Sequence, residues 1–190
     1  MQPDLVFKAE THQYFYQGVE LPSVTGILKD MGLIDTQWFT DSSRTRGSYV
    51  HTAIRYHIEN TLDLSTIDPA LMPYYDAFLK FEADSNFKTE EAERPFVSET
   101  YRFAGTPDII GCLNGHNAIV DIKTGAPQPW TALQLAGYEI LAKHPSMERF
   151  SLQLTDDGKY KLTHHKDRSD RGVFLAALAV YNWKHNNGRK

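Results

Sequence analysis

Gly105-Thr106-Pro107-Asp108-Ile109-Ile110, followed by Leu113-Asn114-Gly115-His116 and Ala118-Ile119-Val120-Asp121-Ile122-Lys123-Thr124-Gly125, is the stretch whose reading decides the fold. It spells two strands joined by an Asn-Gly turn, a dipeptide that tolerates the positive φ values a tight hairpin needs. Asp108 is placed in the first strand. On the second, a period of two puts Ile119, Asp121 and Lys123 on one face and Val120 and Ile122 on the other. A carboxylate and an ammonium therefore point the same way at a strand end, and closure of the hairpin returns Asp108 to Asp121. Two acids and a lysine at that point suit metal-dependent phosphodiester chemistry. A surface ion pair explains Asp-x-Lys nearly as well.

Working outward, residues 5–21 read as a two-stranded start with a turn at Gln17-Gly18. A short helix follows, with Ser23 as N-cap and Gly32 as stop. Val50, Ile54 and Ile58 recur at i, i+4 and i+8, which predicts a helix over about 47–60. His51 falls only about 20° from Ile58 on its wheel, at the margin of the buried face. A third helix is predicted from Asp68-Pro69. Lys88 to Pro95 reads as a solvated charged connector, and residues 96–103 as strands that run in a meander into the one carrying Asp108. Beyond Pro127 and Pro129 a helix is expected from Trp130 to about Lys143, with Gln134 in the middle of its apolar face. A second hairpin (150–165, turning at Asp156-Asp157-Gly158) and a last helix over about 169–183 complete the chain. The polar tail 185–190 is expected to fray.

At 190 residues the length fits one domain, 1–190, with a substantial core. The single cysteine, Cys112, excludes a disulfide framework and a four-cysteine iron-sulfur cluster, and it favours a reducing, cytoplasmic setting. Met1-Gln2-Pro3-Asp4 lacks the basic-then-apolar pattern of a signal peptide. A net charge of −4 argues against a generally basic nucleic-acid coat, although acidic metal ligands and a local basic patch can coexist with it. Arg44 and Arg46, ahead of the 47–60 helix, could position phosphate; a solvated loop is an equal reading.

Gly47-x-x-x-His51, Gly105-x-x-Asp108, Asp121-x-Lys123-Thr124-Gly125 and Gln134-x-x-x-Tyr138 occur in this order. The set resembles the RecB-type branch of the PD-(D/E)XK nuclease superfamily, in particular its stand-alone phage and bacterial exonucleases, over roughly residues 44–140. The resemblance implies an α/β, restriction-endonuclease-like fold with a mixed four-stranded sheet flanked by helices. It implies that His51, Asp108 and Asp121, with the Ile122 carbonyl, ligate Mg²⁺ or Mn²⁺, and that Lys123 orients the attacking water or stabilises the transition state. Gln134 and Tyr138 would support the site and contact the DNA backbone. The implied partner is linear DNA, with a recombination or single-strand-binding protein as a possible second. A structure-specific endonuclease and a non-catalytic nucleic-acid-binding protein on the same fold remain open as alternatives.

Overall fold

The computed structural model describes residues 4–35, 40–143 and 146–188; Met1 to Pro3 and the last two residues of the polar tail, Arg189 and Lys190, lie outside it. β1 (Leu5–Lys8), β2 (Gln13–Tyr16) and β3 (Val19–Leu21) form a three-stranded antiparallel sheet, one strand more than the sequence reading gave. It leads into α1 (Val24–Asp30), whose N-cap Ser23 accepts from the Gly26 amide and whose chain exit is turned by Gly32 at φ +68°. α2 runs from Asp41 to Ile58, six residues earlier than its apolar repeat suggested, because Thr40 caps it through the Ser43 amide. α3 (Met72–Ser85) begins after the Asp68-Pro69 turn, where Asp68 accepts from the Ala70 amide instead of capping the helix.

The charged segment expected to be a solvated connector is a strand, β4 (Lys88–Ala92). β5 (Phe96–Ser98) and β6 (Phe103–Gly105) form a two-stranded sheet of their own, tied to the start of α1 by a parallel Ser23–Ala104 bridge, so the expected meander is absent. Then come β7 (Ile109–Leu113), β8 (His116–Lys123), α4 (Trp130–Leu141), β9 (Glu148–Leu154), β10 (Tyr160–His164) and α5 (Ser169–Asn187). Residues 185–187 continue α5 as helix, with the His185 ring and the Asn187 amide bonded to carbonyls one turn back. The central sheet has five strands in the order β10-β9-β8-β7-β4, against the four expected; the extra strand is β4. The α/β class stands.

β7 and β8 are antiparallel, with Ile109 opposite Val120, across a turn in which Asn114 (φ 51°) and Gly115 (φ 82°) are both left-handed. β8 and β9 are parallel, which requires the crossover that α4 provides. The period of two divides β8 between two cores. Ala118, Val120 and Ile122 pack with Val50 and Ile54 of α2 and Phe78 and Phe81 of α3. Ile119 packs with Val24 and Ile27 of α1, Leu135 of α4 and Phe174 of α5. Helices thus cover both sheet faces. No helix among the described residues is long and apolar enough to cross a membrane.

Gly111 decides whether β4 can join. A Cβ built there would lie 2.1 Å from the Lys88 carbonyl oxygen and 2.9 Å from the Phe87 ring. The β4–β7 pairing also carries a register shift between Thr89 and Glu91 at this point. Gly111→Ala is therefore expected to destabilise the protein by about 3 kcal/mol, the upper end of overpacking costs, because the obstacle is backbone. Urea unfolding checks this; an unchanged midpoint would show that the edge strand can shift aside.

Candidate metal centre

The centre is assembled at one end of the sheet from three separated segments. α2 supplies His51 and the end of β4 supplies Glu93. The hairpin supplies Asp108, Asp121, Ile122 and Lys123. Continuing the β4–β7 register past Ala92–Ile109 sets Glu93 beside Asp108, and the Glu93 amide donates to the Asp108 carbonyl at 2.9 Å. Glu93 makes this turn with φ +48°. Asp108 lies one residue ahead of β7 rather than within it, which frees its side chain to accept from the Ile122 amide at 2.6 Å.

His51 Nδ1 lies 3.4 Å from Glu93 Oε1 and 3.4 Å from Asp108 Oδ1, and Nε2 lies 3.1 Å from the Ile122 carbonyl oxygen. Both ring nitrogens therefore face acceptors, an arrangement that suits the doubly protonated ring. Burial lowers the His51 pKa, but the Asp108 and Glu93 carboxylates outweigh it and hold the ring well above its ordinary value. Burial likewise raises the Asp108 pKa, and His51 and Lys123 overcome it to leave that carboxyl below its usual range. His51, Glu93 and Asp108 each offer one ligand atom, and these all lie within 4.8 Å of one another. In the protein alone, the imidazolium supplies the positive charge that these oxygens hold.

Asp121 stands beside this cluster on the opposite sheet face and is 1% exposed. Burial pushes its pKa up to about 6, against the pull of Lys123 and with the repulsion of Asp108 added. Its Oδ2 is 2.6 Å from Lys123 Nζ but has no partner at hydrogen-bonding geometry. The ammonium at that distance is nonetheless the charge that compensates this buried carboxylate. The donors that converge, the His51 imidazole and the Glu93 and Asp108 carboxylates with the Ile122 carbonyl beside the ring, are ones that Mg²⁺ or Mn²⁺ accepts, the nitrogen being better suited to Mn²⁺; Asp121 is not among the three residues whose ligand atoms come together.

Lys123 Nζ donates to Gln134 Oε1 at 3.2 Å and lies 5.3 Å from the centre of the Trp130 ring. Gln134 and Tyr138 are both buried, 7% and 6% exposed, and Gln134 Nε2 donates to the Tyr138 hydroxyl at 3.2 Å. They stand behind Lys123 within the protein. Arg46 reaches the loop after β8, where Nη2 donates to the Thr124 carbonyl at 3.4 Å and the guanidinium lies over the Tyr74 ring. Arg44 is not brought to the centre and pairs with exposed Asp41 one turn away.

Glu93 is the residue the sequence reading missed. It sits in a run of charges whose composition resembles any solvated connector, and its only local signal is the strand it ends. Once Lys88 to Ala92 is paired with β7, the register alone places it beside Asp108.

No protein-family model matches the chain, and no curated protein matches it in sequence. Among solved structures, a candidate exonuclease from Eubacterium rectale superposes with a TM-score of 0.54 at 15% identity, over 86% of this chain and 73% of its own. The chain shares its fold with a candidate exonuclease. At that identity the likeness is one of fold. A looser superposition, TM-score 0.39 at 17% identity, covers 87% of this chain and 91% of an alkaline exonuclease from Laribacter hongkongensis.

The protonation states give a pH expectation. Asp121 and His51 both have raised values, so each contributes stability in its protonated form that is lost as pH rises through its folded pKa. For Asp121 that window runs from its ordinary 3.8 to about 6. Asp108, lowered, acts in the opposite sense and only at more acid pH. A divalent cation competes with these protons, so Mn²⁺ should raise the melting temperature more at pH 8 than at pH 5.5. Thermal melts with and without Mn²⁺ check this; an increment that grows as pH falls would contradict the ligand set.

Proposed function

We propose that the chain is a metal-dependent deoxyribonuclease of the RecB-like PD-(D/E)XK type that degrades linear DNA from its ends. The observation that carries this is the His51–Glu93–Asp108 cluster beside the buried Asp121–Lys123 pair. In this reading His51, Glu93, Asp108 and Asp121, with the Ile122 carbonyl, would hold Mg²⁺ or Mn²⁺. When bound, such an ion polarises the scissile phosphate and lowers the pKa of a water. Lys123 supplies positive charge where negative charge develops on the phosphate, in a site dry enough for that charge to count. Arg46, fixed beside the loop that follows Lys123, is the basic residue available to a neighbouring phosphate.

A phage or bacterial role in recombination, repair or DNA degradation follows from the resemblance and not from the geometry. A protein partner is not part of this reading. The test is degradation of linear against covalently closed circular DNA in Mg²⁺, in Mn²⁺ and in EDTA. Loss of linear DNA alone, abolished by EDTA, is the expected result. Cleavage of the circle would make the protein an endonuclease, and binding without cleavage would make it a non-catalytic nucleic-acid-binding protein.

A further inference from the structure

Lys123 depends on a chain of polar contacts that begins outside the nuclease motifs. A lysine ammonium has donors only, so the Gln134 amide must turn Oε1 toward Nζ. Its NH₂ group then has two hydrogens to place, in a side chain that is 7% exposed. One goes to the Tyr138 hydroxyl at 3.2 Å and the other to the Thr25 hydroxyl at 3.2 Å. Thr25 also bonds the Tyr138 hydroxyl, which burial and the charges of Asp108 and Asp121 keep protonated. Thr25 lies in the first turn of α1, 109 residues from Gln134 in sequence, and α1 is held against α4 by Val24, Ile27 and Leu28.

We propose that Thr25 is a positioning residue of the centre: its hydroxyl fixes the orientation of the Gln134 amide and thereby holds Lys123 toward the reacting phosphate. The proposal rests on the deoxyribonuclease reading for its effect on rate, but the orientation of Gln134 is a property of the protein alone. Without the Thr25 hydroxyl, one buried N–H of Gln134 has no partner. The amide is then freed to turn, and its NH₂ side repels the ammonium it should hold. The N-terminal module of β1 to α1 has a second contact of the same kind, from the Tyr14 hydroxyl to Thr106 Oγ1 at 2.8 Å, two residues ahead of Asp108. It thus touches both halves of the centre.

The test compares Thr25→Val, nearly equal in volume, with Thr25→Ser, which keeps the hydroxyl. Thr25→Val should lower kcat about 10-fold, the scale of lost outer contacts at metal sites, with KM and Mn²⁺ affinity by calorimetry unchanged. Thr25→Ser should restore kcat. In a Gln134→Ala background Thr25→Val should lose most of its effect, leaving only what passes through the Tyr138 hydroxyl. By NMR, the Gln134 side-chain NH₂ signals, assigned by their absence in Gln134→Ala, should lose protection from solvent exchange in Thr25→Val and regain it in Thr25→Ser. An unchanged kcat, an undiminished 10-fold loss in the Gln134→Ala background, or full protection in Thr25→Val would each overturn the proposal. A wild-type protein that hydrolyses no DNA would defeat the functional reading instead, and the NMR comparison would still decide the role of Thr25.

Discussion

The Asp121→Asn protein is expected to fold as the wild type does and to hydrolyse DNA about 10³-fold more slowly, the middle of the range for a lost acid-base or charge-bearing group. The two effects separate because the substitution is nearly isosteric and Asp121 is a poor stabiliser where it stands. Burial has already pushed its pKa up to about 6, so ionising it at neutral pH costs stability. Asparagine removes that cost along with the charge. Lys123, however, loses the carboxylate 2.6 Å from its ammonium. Equal melting temperatures near neutral pH, with hydrolysis lost, would match the proposed centre. Equal hydrolysis by both proteins would remove Asp121 from it.

The second large effect concerns stability. Arg149 is 1% exposed on β9 and holds two carboxylates: Glu139 of α4 at 3.4 Å and Asp170 of α5 at 3.2 Å. It also donates to the carbonyl oxygens of Ala132 and Asp167. One guanidinium therefore ties the crossover helix and the last helix to the sheet. Removing a single member of such a set leaves buried charge uncompensated, so Arg149→Met should lose about 3–5 kcal/mol in urea unfolding. Arg149→Met combined with Glu139→Gln and Asp170→Asn should recover much of that loss, because the uncompensated charges leave together. A single mutant as stable as the wild type would mean that water reaches these acids.

The central hairpin was legible because its information is local. An Asn-Gly turn, alternation along 118–123 and a bounding Gly125 fix the strands, and the register then follows. His51 at a helix margin and Gln134 within an apolar face stood out by breaking a pattern that their neighbours keep. Glu93 broke no pattern, since Lys88-Thr89-Glu90-Glu91-Ala92 shows no clean alternation and β4 bears a register shift. A strand of this kind is defined by the partner it finds rather than by its own residues. The early start of α2 was hidden for a related reason: residues 41–46 are all polar and mostly exposed, and only the Thr40 cap marks the beginning. Arg44 and Arg46 are two residues apart, so on a helix they diverge, and only Arg46 turns toward Thr124.

Glu93 also sits just past the end of an outermost strand, whose free side has no neighbour in the sheet. Strands in that position open at lower free energy than those within a sheet. His51, Asp108 and Asp121 are carried by elements that bury their apolar faces in the two cores, whereas Glu93 follows an edge strand that reaches the core only through Ala92 and the preceding Phe87. One wall of the centre therefore hangs from the sheet's edge, while the others are built from elements inside it. Local opening of that edge would expose the contents of the site at a lower cost than unfolding the whole chain.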